Sequence, residues 1–392
     1  MERHTDWMAA GLEQLRAADA LRKLEVRASA GGRFQSGGRE WLNFASNDYL
    51  DLVRHPRVIA AASAALTRWG AGAGASRLVV GTLPVHETLE QRLAILKGCP
   101  AALVAGSGYA INLGLIPALA GRGDTVLLDR LAHASLVDGA LLSRATLRRF
   151  HHNDPEHLKS LLAALPAAGR KLVVTESVFS MDGDLAPLPE LSAVANHYGA
   201  MELVDEAHAT GIFGPGGAGR VVEDGLAGQI TVSMGTLSKA LGSFGGFAAG
   251  SNILREWLIN RARPFIYSTA LPPSAAGAAL GALDVLRDEP GRGAGLLRRA
   301  DFFRAQLTAA GFPDSGSRSQ IIPVLVGDNG CALRLAARLR DSGVLVVAIR
   351  PPTVPAGTAR LRFAVTLAHT EADLTRAVEA LAAAAQGEGL LK

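Results

Sequence analysis

The sequence predicts an α/β protein, a mostly parallel sheet covered by helices on both faces and followed by a smaller α+β unit. Between about 100 and 250, short apolar runs recur and each ends in a polar cluster: "DTVLLDRLAHAS", "KLVVTESVFSMDGD", "MELVDEAHATG", "ITVSMGTLSKA". Helical patterns separate them, such as "PEHLKSLLAALPAAG" and "PLPELSAVANHYG", the second opening with Pro and closing with Gly as helices prefer. Strands that alternate with helices imply parallel pairing with both sheet faces covered. At 392 residues, 48% hydrophobic and 19% charged, the chain has ample apolar surface for a sizeable core.

Taken in order, residues 1–50 read as an amphipathic helix and a short strand pair around "GGREWLNFASNDYL". Residues 51–285 hold the alternating strands and helices of a large domain. Residues 286–392 form the smaller α+β domain, in which "GLLRRADFFRAQLTAAGF", "QIIPVLVG", "CALRLAARLRDSGVLVVAI", "ARLRFAVTL" and "TEADLTRAVEALAAAAQ" alternate helix and strand. There the Pro-rich "RPPTVPAGTAR" reads as a rigid loop between two strands. No internal repeat or low-complexity linker interrupts the pattern.

Several function classes are disfavoured. No apolar run reaches the ~18 residues of a membrane span, and the charged start lacks the apolar stretch of a signal peptide, so no membrane insertion and a cytoplasmic location are expected. The net charge of +4 is scattered, and its densest patch, "LSRATLRRFHHND", is followed at once by Asp154 and Glu156. Without a basic stripe and interleaved aromatics, no nucleic-acid partner is expected. Cys99 and Cys331 sit in no C-x-x-C and have no histidines at zinc spacing, so neither disulfide nor metal is expected. "HHND" at 151–154, with His157, reads as a solvated loop. Gly70, Gly72 and Gly74 do not match G-x-G-x-x-G, and "GTLSKA" is too short for a P-loop.

In doubly covered parallel sheets ligands bind beyond the carboxyl ends of the strands. His133, Ser180, Asp205, His208 and Lys239 all fall there. Asp205 ends an apolar strand, where a carboxylate needs a cationic or hydrogen-bonding partner, and a pyridinium nitrogen is one. A purely structural account is about as good for this motif alone: Asp205 caps a helix, Glu206 lies at the surface and His208 is a satisfied loop residue. "AGSGYAINLGLIPAL" is a small-residue turn opening onto a helix, whose free N–H groups make a phosphate seat. "GTLSK" places the hydroxyls of Thr236 and Ser238 beside Lys239. The chain has six lysines against thirty-four arginines, so a lysine kept in a charge-free loop suggests a chemical use. Together a phosphate seat, a carboxylate for a ring nitrogen and a Schiff-base lysine are the three contacts that pyridoxal phosphate requires, and His133 is placed to lie on the ring face.

The motifs "LNFASNDYL", "GAGASRLVVGT", "TESVFSMDGD", "LVDEAHATG", "GTLSKALGSFGG", "YSTALPP" and "RPPTVPAGTARLR" resemble, in that order, those of the α-oxoamine synthases. These are fold type I pyridoxal phosphate transferases that join an amino acid to an acyl thioester. The resemblance runs from about residue 10 to 385 and implies a large domain with a seven-stranded, mostly parallel sheet. It also implies a homodimer with shared active sites. The wording of "RAADALRK" and "IRPPTVPAGTARLR" is most similar to the members that condense L-alanine with pimeloyl-CoA, or the pimeloyl-carrier-protein thioester, in biotin biosynthesis.

On this resemblance Lys239 carries the cofactor and then acts as base, Asp205 pairs with the ring nitrogen, His208 bonds the ring oxygen and His133 stacks on the ring. Gly108, Tyr109, Ser180 and Thr236 hold the cofactor, and Ser268 and Thr269 reach the phosphate of the neighbouring subunit. Arg350 suits a substrate carboxylate, Thr353 and Asn47 match positions near the substrate, and Arg22 matches one reaching the acyl group. Tyr109 departs from the phenylalanine frequent in relatives. The rival readings are a glycine-using sister synthase (2-amino-3-ketobutyrate CoA ligase or 5-aminolevulinate synthase), an aminotransferase, and a non-catalytic subunit, the last opposed by the presence of Lys239.

Overall fold

The computed structural model describes residues 4–28 and 31–391, which divide into two compact units. The larger comprises Asn47–Ser180 and Asp184–Leu297, and the smaller Met1–Ser46, Met181–Gly183 and Arg298–Lys392. No helix among the described residues is long and apolar enough to cross a membrane.

The larger unit is built on a seven-stranded sheet. From edge to edge the strands are Ala101–Ala105, Gly246–Gly250, Val232–Thr236, Met201–Asp205, Lys171–Glu176, Thr125–Asp129 and Thr146–Phe150. Only Gly246–Gly250 runs antiparallel to its neighbours. The strands read as unbroken apolar runs because helices cover both faces. Successive residues feed opposite cores: Leu128, Val174 and Leu203 join Leu115 and Leu136 on one face, while Leu127, Val173 and Val204 join Leu158 and Leu191 on the other. Each such side chain contributes roughly 1.5–3 kcal/mol when fully buried.

Glu206 does not lie at the surface. It is 0% exposed and faces the ammonium of Lys97 at 2.7 Å. Lys97 Nζ also donates to Thr210 Oγ1 at 2.9 Å and Ala218 O at 2.8 Å. Glu206 in turn accepts from Val221 N at 2.9 Å and Ser233 Oγ at 2.7 Å. A buried ion pair is tolerable only when its remaining hydrogen-bonding sites are satisfied in this way.

The segment 151–154 is not simply solvated either. His152 Nδ1 lies 3.0 Å from Asp129 Oδ1, and Nε2 lies 2.8 Å from Asp184 Oδ2. With an acceptor at each ring nitrogen, both must donate. Burial alone would depress the imidazole, but the two hydrogen bonds and carboxylate charges raise it to about 9. Sequence reading missed the clamp because its two carboxylates come from distant segments.

In the smaller unit Arg33–Ser36 and Arg39–Asn43 form a hairpin around Gly37 and Gly38, both at positive φ (61° and 75°), as a two-residue primed turn requires. Val344–Leu345 adds a parallel strand to this pair. A second sheet has the order Ile321–Gly327, Ala359–Ala364, Val347–Ile349, all antiparallel. Its core clusters Phe44, Phe303, Phe363 and His369, with the Phe44 and His369 rings stacked at 4.2 Å. Burial holds the His369 imidazole down at about 4, so it packs as a neutral aromatic ring.

Two stability predictions follow from these buried charges. The folded His152 value exceeds the ordinary ~6.5, so the clamp adds stability that is full below about pH 6.5 and fades as pH rises through about 9. Chemical denaturation of His152→Ala is expected to show a loss of about 2 kcal/mol at pH 6 and a much smaller one at pH 10. Lys97→Met strands the Glu206 carboxylate and is expected to cost about 3–5 kcal/mol at pH 7 by the same measurement.

Candidate active site

Lys239 sits on a tightly fastened loop just beyond the strand Val232–Thr236. Leu237 N donates to Gly245 O at 2.9 Å, Ser243 N to Leu237 O at 2.9 Å, and Gly242 N to Lys239 O at 2.9 Å. The hydroxyls of Thr236 and Ser238 converge on the same Gly245 carbonyl. Gly245 adopts φ 123°, and a Cβ there would lie 3.0 Å from Leu237 Cδ1 and 3.1 Å from Ala105 O. The loop therefore holds the lysine backbone rigidly while the side chain reaches the site.

The Lys239 amine lies 2.7 Å from His208 Nε2, and His208 Nδ1 lies 2.8 Å from the Tyr49 hydroxyl. Tyr49 donates to Asn47 Oδ1 at 3.0 Å. A hydroxyl that gives its hydrogen to Asn47 accepts from His208 Nδ1–H, leaving the Nε2 lone pair for the lysine amine. Asn47, Tyr49, His208 and Lys239 thus form one polar chain.

Asp205 ends the central strand, and Glu176 is paired with it at the end of the adjacent parallel strand. Both are buried. Asp205 Oδ2 accepts from Asn112 Nδ2 at 2.8 Å, and Oδ1 from Ala207 N at 2.9 Å. Burial, and then the neighbouring Asp205 charge, push the Glu176 carboxyl well above the usual range, with Lys239 opposing. Both causes favour the protonated form of Glu176. Its Oε1 accepts the His133 backbone N–H at 2.7 Å.

His133 caps the helix Ala134–Ser143. Burial holds its imidazole below the ordinary value, Asp205 opposing and Lys239 reinforcing this. The Tyr109 ring meets it edge-on at 6.2 Å, and the Tyr109 hydroxyl donates to Asp138. Tyr109 follows the first residue of helix Gly108–Leu119, whose N-cap Ser107 accepts from Ala110 N at 3.1 Å. Ile111 N makes the first intrahelical bond, to Ser107 O, so Gly108 N–H and Tyr109 N–H are the donors of this helix start left for an anion. A Cβ at Gly108 would lie 2.9 Å from Met234 Cε and 3.5 Å from Thr236 Oγ1, so the helix start packs directly against that strand end.

The remaining candidates are placed as follows. Ser180 is buried, four residues past the strand Lys171–Glu176. Ser268 and Thr269 are exposed, and Thr269 bridges to Ser76. Arg22, Arg350 and Thr353 belong to the smaller unit, where they line a cavity of about 630 Å³. Arg22 donates to Thr353 Oγ1 at 3.1 Å, and Arg350 donates to Asp19 O.

Tyr49, Asn112, Ser135 and Glu176 were not singled out from sequence. Asn112 had a legible signal, a lone amide in the apolar helix "GYAINLGLIPAL". Tyr49 and Glu176 lie inside conspicuous motifs but look like ordinary core and strand-end residues.

The sequence profile of the family "Aminotransferase class I and II" matches residues 39–381. The chain is 49% identical to an 8-amino-7-oxononanoate synthase of Geobacter metallireducens, over 97% of this chain and 98% of that protein. Among solved structures it is similar to a serine palmitoyltransferase variant from S. paucimobilis with bound PLP, at 35% identity, 99% coverage of both chains and a TM-score of 0.92. It is also similar to an 8-amino-7-oxononanoate synthase from Francisella tularensis, at 27% identity, 89% coverage of this chain, 99% of that one and a TM-score of 0.77.

The residues fit pyridoxal phosphate. The Asp205 carboxylate is buried, and a protonated ring nitrogen against it would supply the positive charge that a carboxylate in such a place calls for. Lys239 offers the amine, and the start of helix Gly108–Leu119 with Thr236 offers the phosphate seat. The protonation of Glu176 is directly testable. A folded value above the ordinary ~4.3 means its contribution to stability is full below that pH and is lost as pH rises. Glu176→Gln, a near-isostere of the neutral acid, is expected to gain on wild type as pH rises above about 4.3, by on the order of 1 kcal/mol in chemical denaturation.

Proposed function

The chain belongs to the aminotransferase class I and II family of pyridoxal-phosphate-dependent enzymes, and for this member we propose decarboxylative condensation of L-alanine with a pimeloyl thioester. The products are 8-amino-7-oxononanoate, the free thiol of CoA or a carrier protein, and CO₂, a step of biotin biosynthesis. The observation that carries the reading is the convergence of Lys239 with His208 and of Asp205 with Asn112 at neighbouring strand ends. Near-half identity to a protein named for that product, over almost the whole chain, supports the choice of substrates.

When bound, pyridoxal phosphate supplies an aldehyde for amines and a protonated ring that accepts the electron pair of a breaking bond at the α-carbon. Lys239 Nζ would be the base that takes the α proton of alanine. The α-carbon would bond to the thioester carbonyl as the thiolate leaves, the carboxylate would depart as CO₂, and the proton held by Lys239 would return to the α-carbon. With the cofactor in place Asp205 would keep the proton on the ring nitrogen, His133 would cover the ring face, and His208, once the lysine amine has left its Nε2, would turn that nitrogen to the ring oxygen. Gly108, Tyr109, Ser180 and Thr236 would hold the cofactor, the first two through the helix start at its phosphate, with Ser268 and Thr269 serving the second subunit of a homodimer. Arg350 is proposed to bind the substrate carboxylate, Arg22 the acyl chain, and Thr353 and Asn47 to lie near the substrate.

The likeness to serine palmitoyltransferase, at a TM-score of 0.92, favours a second reading with L-serine and a palmitoyl thioester, but its sequence identity is lower. Thiol release should be measured with L-alanine, glycine and L-serine against pimeloyl, acetyl, succinyl and palmitoyl thioesters. Turnover is expected with L-alanine and pimeloyl-CoA, and preference for another pair would overturn the assignment. Lys239→Ala is expected to lose the yellow colour of the reconstituted protein and at least 10³-fold in rate, a barrier increase of about 4 kcal/mol.

A further inference from the structure

Asn112 is 1% exposed in an otherwise apolar helix, and its Oδ1 has no hydrogen-bond partner among the described residues. Leaving a buried carbonyl unpaired is unfavourable, and an apolar residue of similar shape would avoid it. The amide is therefore kept for its other end. Asn112 Nδ2 lies 2.8 Å from Asp205 Oδ2 and 2.9 Å from Ser135 Oγ, and Ser135 Oγ lies 2.8 Å from His133 Nδ1.

The direction of this chain is set at both ends. A carboxylate only accepts, so the Asn112 atom facing Asp205 is the NH₂ nitrogen. A backbone N–H only donates, and that of Ser135 is 3.2 Å from His133 Nδ1, so Nδ1 carries a lone pair. Asn112 spends its two hydrogens on Asp205 and Ser135, the Ser135 hydroxyl gives its own to His133 Nδ1, and the imidazole proton remains on Nε2. The charged or titratable groups around His133 are Asp205, Asp138, Lys239, Glu176 and Tyr109, and none of them bonds Nδ1.

We propose that Asn112 is a positioning residue that couples Asp205 to His133 through the Ser135 hydroxyl, so that the carboxylate under the ring nitrogen and the imidazole on the ring face are held by one amide. The inference rests on reading the site as one for pyridoxal phosphate. Asn112→Leu keeps the volume and removes both links, whereas Ser135→Ala removes only the link to His133. Without the Ser135 hydrogen the neutral imidazole loses a donor, and its protonation becomes easier.

The test is histidine ¹⁵N NMR on the full chain freed of cofactor, with His133 identified by its loss in His133→Gln, together with titration by pyridoxal phosphate. Both variants are expected to shift the His133 protonation equilibrium toward imidazolium about threefold, and the double variant no further, because the links are in series. Asn112→Leu is expected to weaken pyridoxal phosphate about tenfold or more, the effect of one charge-assisted hydrogen bond, and Ser135→Ala less than threefold. An unchanged His133 equilibrium in Ser135→Ala, or wild-type cofactor affinity in Asn112→Leu, overturns the proposal. Should Asn112→Leu fail to fold, the Ser135→Ala titration still decides the link to His133. Failure of wild type to bind pyridoxal phosphate would overturn the reading of the site, while the cofactor-free titration judges the relay separately.

Discussion

Two carboxylates, Glu176 and Asp205, end adjacent parallel strands side by side in the interior of the larger unit. Like charges at that spacing and burial cannot both persist without compensation. The surrounding structure answers in three ways. Burial and its neighbour favour the protonated form of Glu176. Asp205 takes hydrogen bonds from an amide and a backbone N–H. The lysine amine stands nearby, held by His208, Tyr49 and Asn47. A cationic ring nitrogen against Asp205 would give that carboxylate a charged partner, as a pyridinium cofactor supplies.

The same sheet carries a second buried lysine with a different role. Lys97 meets Glu206, the residue after Asp205, and every donor and acceptor of that pair is occupied. Its amine is locked by partners on several segments, so it is inert and structural. Lys239 instead faces an imidazole nitrogen, which can hold the amine without neutralising it by a permanent charge. Residues 205 and 206 alternate across the strand end, one carboxylate serving the site and the other the scaffold. The rarity of lysine in an arginine-rich chain marked both positions equally and could not tell them apart.

Much of the frame was legible in one dimension. Apolar runs ending in polar clusters located the parallel strands and their carboxyl ends, because burial on both faces removes the usual alternation. The glycines of the Lys239 loop were readable as sites of close approach, and at Gly242 and Gly245 the structure gives the positive φ and the distances that require them. His152 was misread as a solvated loop residue, and the surface position that a purely structural account of its motif gave Glu206 does not hold. Both owe their environment to partners far away in the chain, Asp129 and Asp184 for one and Lys97 for the other.

By itself, then, the sequence determined the α/β architecture, the order of the motifs and the residue types able to hold a phosphorylated pyridine aldehyde, since periodicity and local turn chemistry are encoded within short windows. Tertiary structure alone decided which carboxyl is driven toward its protonated form, which lysine is locked in an ion pair, and that Asn112 and Ser135 stand between Asp205 and His133. Those properties depend on burial and on distances between segments tens of residues apart, and neither quantity exists until the sheet has brought its strand ends together.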